Sequence, residues 1–292
     1  MTYRFRPACT TLRRDPAHLR VRDRAVLRIL NRSQAATAAQ LAVLAYGHRR
    51  LAQRRLRQLW QWGYLERTTL PPLGPRGGAP YAYRLASACL HRLGYGRAPW
   101  RGPGYLGHTL DAVEAVCALV RVADSEGRPG VQLWLPESIV GDALPAGPVA
   151  DAVVVLAGAA GSGVVCLEID ESTQHVAPIR AKLRAYRRAI GGRPGWHALF
   201  VVPSTARGGW LRRIARGRDL DGLSLFVVTA DALHRDGAAA ELASVVGPAR
   251  TLTLEALLSD AWPRRSATPV ATPAWLDLLG SGGGEEPGEL LA

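Results

Sequence analysis

Three carboxylates and one lysine carry the chemistry most open to this sequence. The stretch VVCLEID holds Glu168 and Asp170 two residues apart, and VADAVVVL, earlier in the chain, holds Asp151. Alternation at period two is strand geometry, so Glu168 and Asp170 share one face and Leu167 and Ile169 the other. The short turn GAAGSG between the two segments makes them an antiparallel hairpin. Asp151 at the start of one strand then lies beside Glu168 and Asp170 at the end of its partner. Carboxylates gathered at one sheet edge repel each other unless a cation or a base joins them. A hard divalent ion such as Mg²⁺ takes oxygen sites of this kind.

Lys182 is the only lysine among 37 basic residues. It falls in VAPIRAKLRAYRRAI, where Pro178 suits a first helical turn and Ile179, Leu183, Tyr186 and Ile190 form an apolar stripe. At about 100° per residue, Lys182 lies beside Ile179 and Tyr186, on the side that packs on the sheet. A lysine there can hold a scissile phosphate or activate an attacking water. It is a compact charge whose pKa can be lowered, and arginine cannot do the second job. The structural alternatives are a lysine at the edge of the stripe that reaches solvent, or an ion pair with Asp170.

The elements that position these groups follow a strongly basic segment. Residues 1–107 hold 20 arginines against Asp15, Asp23 and Glu66, a net +17, whereas residues 108–292 carry a net −4. The charge is an electrostatic handle for a polyanion, and nucleic acid fits it. An evenly arginine-rich surface would carry balancing acids, which this third of the chain lacks. VRDRAVLRILNRS reads as a first helix with Val26, Leu27 and Leu30 buried. TAAQLAVLAYG reads as a second, opened by a Thr37/Gln40 capping box and closed by Gly47. A third runs from about Arg49 to Trp62, with Ala52, Leu56, Leu59 and Trp60 on one face and Arg50, Gln53, Arg54, Arg57 and Gln61 on the other. Two short strands then flank a Pro/Gly-rich tip carrying Arg76. Three helices and a hairpin describe a winged helix-turn-helix, whose third helix enters the major groove of duplex DNA while the wing touches the backbone. Arginine forks onto guanine or phosphate and glutamine pairs with adenine. The alternative for the polar face is plain solvation, or protein contact.

GYGRAPWRGPGYLG, residues 94–107, is a glycine- and proline-rich joint. After it the pattern alternates. A helix near 109–123 precedes strands near 131–135, 149–156 and 164–170. A helix near 178–190, a strand near 197–202, a helix near 206–216 and a strand near 223–228 follow. This is an α/β core on a mixed sheet. GSGGGEEPGELLA at the end has too little apolar content to pack. No run of about 18 apolar residues suggests a membrane span, and MTYRFRPACTTLRR lacks the apolar core of a secretory signal. The four cysteines form no CxxC and no zinc spacing, and Cys117 and Cys166 read as buried thiols. Mean hydropathy near zero completes the expectation of a soluble cytoplasmic protein associated with nucleoid or plasmid.

The constellation of Asp151, Glu168 and Lys182 resembles the PD-(D/E)xK nuclease superfamily. That resemblance implies Mg²⁺ bound by Asp151 and Glu168, with Lys182 supporting the attacking water. Ala150 stands where the motif has proline, and Asp170 where it has lysine. Some branches carry the lysine on the following helix, as Lys182 would be, and KLRAY falls where others have QxxxY. A glutamate of the first helix often joins the metal, which points to Glu114, with Asp111 as its rival. The layout as a whole looks like the replication-relaxation family. The matching pieces are RDRAVLRIL, TAAQLAVLAYG, RLRQLWQWGYLER, GGAPYAYRL, ADAVVVL, LEIDEST and IRAKLRAY. This resemblance implies a role in replication, relaxation or mobilisation of plasmid or mobile-element DNA.

The expected fold class is therefore α+β / α/β. A winged helix-turn-helix spans 1–95, a linker 96–107, a PD-(D/E)xK-like domain with a central mixed sheet 108–258, and a flexible tail 259–292. The expected function is positioning of a nuclease-like domain on duplex DNA, with Mg²⁺-dependent phosphodiester cleavage by Asp151, Glu168 and Lys182. One alternative is an accessory that recruits a replication initiator or relaxase. Another is a non-catalytic transcriptional regulator with an α/β sensing or dimerisation domain. A serine hydrolase lacks its GxSxG elbow, and GAAGSG leads into a strand rather than a phosphate-binding helix.

Overall fold

Helix α1 (Val21–Ser33) forms where Val26, Leu27, Ile29 and Leu30 recur at helical spacing, and all four are buried. The Asp23 carboxylate closes its N-terminus by accepting from Arg20 N at 3.0 Å. The expected capping box is present: Thr37 Oγ1 accepts from Gln40 N at 3.2 Å, and Gln40 Oε1 accepts from Thr37 N at 2.9 Å. It starts α2 (Ala38–Leu41), which runs on as a π-helical turn, Ala42–Tyr46, and closes at Gly47 with φ 71°. Helix α3 (Arg49–Gln61) buries Ala52, Leu56 and Leu59. Gly63 follows with φ 85°, and a Cβ there would meet Thr11 O at 2.5 Å, so glycine alone lets the chain turn beside the N-terminal segment.

The computed structural model describes residues 3–72, 79–93, 102–123, 130–137, 140, 150–158, 161–216, 220–247, 250–254 and 256–257. These fall into two compact units, one up to Val113 and one from Glu114. Arg76 and the hairpin tip, residues 96–101 of the expected linker, and the tail from 259 lie outside the described residues.

The first unit holds a small antiparallel sheet. Strands β1 (Arg6–Pro7), β2 (Ala36–Thr37), β3 (Leu65–Thr69) and β4 (Tyr81–Leu85) lie in the order β1-β3-β4-β2. The β3–β4 hairpin is the one expected from the sequence; β1 and β2 are two-residue strands with no pattern of their own. Helix α4 (Ser87–Arg92) follows the hairpin. Helix α5 (Leu106–Ala123) starts within this unit, where Leu106 and Leu110 pack with Ala35 and Ala82 and Leu110 O accepts from Gln40 Nε2 at 2.8 Å.

The second unit is built on a seven-stranded mixed sheet, in the order β11-β10-β9-β8-β7-β6-β5. Strands β5 (Gly130–Pro136), β6 (Ala152–Gly158) and β7 (Gly161–Ile169) form an antiparallel meander. Strands β8 (Trp196–Val202) and β9 (Leu225–Thr229) run parallel to β7, with α6 (Val176–Ile190) and α7 (Thr205–Ala215) as crossovers. Helix α8 (Ala230–Asp236) leads to β10 (Glu241–Ser244) and β11 (Thr251–Thr253), both antiparallel. Every residue of β8 is buried, as a central strand covered on both faces requires. The core stripe of α6 is the expected one, Ile179, Leu183, Tyr186 and Ile190, packed with Cys166, Phe200 and Leu211. Pairing of β6 with β7 extends to Gly158 opposite Gly161, deeper into GAAGSG than a turn of that length suggests. Cys117 and Cys166 are buried free thiols as expected, and Cys89 joins them. No helix among the described residues is long and apolar enough to cross a membrane.

Candidate functional site

Strand register assembles the carboxylates. Pro136 of β5, Ala152 of β6 and Leu167 of β7 form one row across the meander. One step beyond that row, towards the same edge, stand Glu137, Asp151 and Glu168. Backbone bonds tie the three strand ends together: Glu137 N donates to Asp151 O and Asp151 N to Leu167 O, both at 3.0 Å. The Asp151 side chain is held as well, because its Oδ2 accepts from Ile169 N at 2.6 Å. Carboxylate oxygens of Glu137 and Asp151 lie within 4.8 Å of each other. Glu137 had escaped the sequence reading. The signal was there, since WLPE ends the strand that pairs with the one beginning at Ala152.

Lys182 and Tyr186, one turn apart on α6, both reach Glu168. Lys182 Nζ is bonded to Glu168 Oε2, and Tyr186 Oη donates to Oε1 at 2.6 Å. Glu168 is buried at 2% exposure, and the Lys182 side chain keeps 21%. Tyr186 is fully buried, edge-on to Phe200. The sequence placed Tyr186 in the core; its ring is there, while its hydroxyl belongs to the site.

Asp170 does not share these partners. It lies one residue past β7, where its Oδ1 accepts from Ser172 N at 2.9 Å and turns the chain through the left-handed Ser172, φ 62°. Arg207 of α7 forks onto it at 2.7 and 3.0 Å and also donates to Gln174 O at 2.8 Å. The lysine therefore pairs with Glu168, and the ion pair with Asp170 belongs to Arg207. This clamp fixes the loop that delivers α6 to Glu168. Glu114 accepts from Arg121 Nη1 on its own helix at 2.9 Å, and Asp111 is exposed.

Burial pushes the Glu168 carboxyl from its ordinary 4.5 up to about 7; Lys182 pulls it down, and Asp151 adds to the rise. A folded pKa above the unfolded one means stability that is fully present below about pH 4.5 and lost as pH rises through about 7. In chelator, the second unit should therefore lose stability on the order of a few kcal/mol across that window. Glu168→Gln should flatten the profile and raise the melting temperature at pH 8. Denaturation of both proteins from pH 4 to 8 measures this, and parallel profiles would refute it.

The first unit carries the other expected site. Arg50, Gln53, Arg54, Arg57 and Gln61 of α3 are all exposed, opposite the buried Ala52, Leu56 and Leu59. Arg55 is the exception among these arginines. It turns inward and forks onto Asp23, with Nε at 3.1 Å from Oδ1 and Nη2 on Oδ2, and gives Nη1 to Gln58 at 2.7 Å. On the hairpin, Arg67 stacks between Trp60 at 3.6 Å and Tyr81 at 4.2 Å.

Fold and site together define a mixed α+β protein with a basic helical unit and, on a separate sheet, a carboxylate row closed by one lysine. The model of the replication-relaxation family matches residues 27–202, more than half of the chain. The chain belongs to that family. No curated protein and no solved structure matches it.

Proposed function

We propose that this protein binds duplex DNA through its first unit, a winged helix-turn-helix. In this reading it serves replication, relaxation or mobilisation of plasmid or mobile-element DNA, beside a replication initiator or relaxase. The observation that carries the reading is the exposed row Arg50, Gln53, Arg54, Arg57 and Gln61 on one face of α3, in a segment of net charge +17. Arginine and glutamine at helical spacing suit phosphate and base-edge contacts in a major groove. Family membership supports the DNA-handling role.

The same proposal makes the second unit a PD-(D/E)xK-type site. Glu137 and Asp151 place carboxylate oxygens within 4.8 Å of each other, the hard oxygen ligands that Mg²⁺ prefers, and a cation beside the neighbouring Glu168 would favour its ionised form. A bound Mg²⁺ supplies polarisation of a phosphate and a more acidic water. Lys182 supplies positive charge beside the leaving or attacking oxygen, and Tyr186 orients Glu168. One observation favours a second reading, a non-catalytic regulator or accessory: Lys182 and Tyr186 already satisfy both oxygens of Glu168.

If about five arginines of the first unit contact phosphate, the slope of log affinity against log salt should be near −4 to −5. Arg54→Ala with Arg57→Ala should weaken binding by at least about tenfold and make that slope shallower by about 2. Fluorescence anisotropy of the full chain on a labelled duplex over a salt series measures both. An unchanged affinity in the double variant would remove α3 from the interface.

A further inference from the structure

The first unit has a second basic feature, away from the polar face of α3. An open cleft of about 560 Å³ lies between the N-terminal segment and the end of α4, lined by Thr10, Arg13, Arg14, Asp15, His91 and Arg92 among others. Three arginines and a histidine thus line the cleft with one carboxylate residue. That carboxylate is already engaged, because Asp15 Oδ1 accepts from Ala17 N at 2.7 Å. Arg13, Arg14, His91 and Arg92 are all exposed, and no ion pair among the described residues engages them.

The cleft wall is fixed in place. Arg13 N donates to Trp62 O at 2.9 Å, Arg14 O accepts from Tyr64 Oη at 2.7 Å, and the Arg14 guanidinium lies 5.4 Å from the Trp62 ring centre. Gly63 lets the segment seat against the chain at the C-terminal end of α3. The cleft is therefore anchored beside Gln61, the last residue of the exposed row.

We propose that this cleft is a phosphate-binding site that holds the backbone of duplex DNA beyond the segment met by α3. The inference rests on the reading of the first unit as DNA-binding. Exposed, unpaired guanidiniums along an open cleft suit a chain of phosphodiesters, since each neutralised phosphate releases condensed counterions. The same chemistry would accept a free nucleoside polyphosphate, so the test carries both ligands.

The test compares the full chain with the triple variants Arg13→Ala/Arg14→Ala/Arg92→Ala and Arg13→Lys/Arg14→Lys/Arg92→Lys. Duplex binding over a salt series and ATP binding at low salt are measured, with thermal melting as the folding control. The alanine variant should melt like the wild type, yet its salt slope should be shallower by about 2 to 3. The lysine variant should keep the wild-type slope, and the loss should add to that from Arg54→Ala/Arg57→Ala. An unchanged slope in the alanine variant, with a wild type that binds duplex, overturns the cleft alone. A wild type that binds no duplex overturns the cleft together with the reading beneath it. ATP binding lost in the alanine variant, with the duplex slope intact, reassigns the cleft to a small polyphosphate and overturns the DNA assignment.

Discussion

Arg55→Met should cost the first unit about 3–5 kcal/mol, the loss expected when one partner of a buried ion pair is removed. Asp23 is only 1% exposed and gathers three elements: the start of α1 through Arg20 N, α3 through the Arg55 fork, and the π-helical turn through Tyr46 Oη at 3.3 Å. Without Arg55 its charge stays buried, with the Tyr46 phenol and the Arg20 amide still donating to it. Burial, followed by the Asp23 charge, raises the Tyr46 pKa, so the phenol stays a neutral donor and cannot replace the cation. Asp23→Asn in the Arg55→Met background should recover part of the loss, because an amide carries no charge to strand and can still cap α1. Trp62 lies 5.3 Å from the Arg55 guanidinium and reports unfolding of this unit by fluorescence during denaturant titration. A single variant within about 0.5 kcal/mol of the wild type, the range of ordinary surface substitutions, would show that the pair is not holding the three elements together. DNA binding should fall with stability, because α3 presents its exposed row only while its inner face is docked.

Long amphipathic elements were legible in the sequence for a simple reason: their burial repeats at the period of the backbone. Ile179, Leu183, Tyr186 and Ile190 declare α6, and Val26, Leu27 and Leu30 declare α1. The Thr37/Gln40 box was legible because both partners are local. The short strands β10 and β11, four and three residues long, were not, since ELAS owes its conformation to pairing on β9 and TLT to pairing on β10, and not to any pattern of their own. Ion-pair partners were legible least. Arg55 is 32 residues from Asp23 and Arg207 is 37 from Asp170, and an arginine looks the same in sequence whether it faces water or a buried carboxylate. Position gave a partial signal for Arg55, which sits three residues after Ala52 and four before Leu59, on the apolar stripe. The site divides in the same way. Asp151, Glu168 and Lys182 could be brought together from strand alternation and helix phase. Glu137 needed the register of a third strand, and Tyr186 needed a side chain that is apolar along its ring and polar at its tip.

Lys182→Arg is expected to leave the second unit folded and to abolish Mg²⁺-dependent cleavage of DNA, by at least about 10²–10³-fold, the usual cost of removing one positioned charge at a reacting oxygen. The fold should survive because a guanidinium can still neutralise Glu168, and the Lys182 side chain already keeps 21% exposure, which gives a longer head room to reach solvent. Chemistry should not survive, because a planar fork that holds its proton cannot replace a compact ammonium between a carboxylate and a phosphate. Asp151→Ala and Glu168→Gln should also lose cleavage, each by removing an oxygen that would hold the ion. Unlike Lys182→Arg, Glu168→Gln should gain stability in chelator at pH 8, because the buried carboxyl that burial raises to about 7 is then no longer ionised. Duplex binding should persist in all three, since α3 belongs to the other unit. The measurement is conversion of supercoiled plasmid to open-circular or linear forms, with Mg²⁺, with Mn²⁺ and with chelator. Equal cleavage by wild type and Lys182→Arg would remove Lys182 from the chemistry. Absence of cleavage by the wild type on every plasmid and duplex tested would assign the carboxylate row to structure, with Lys182 and Tyr186 as the groups that neutralise a buried glutamate. The proposed contact of α3 with DNA would then be that of an accessory or regulator.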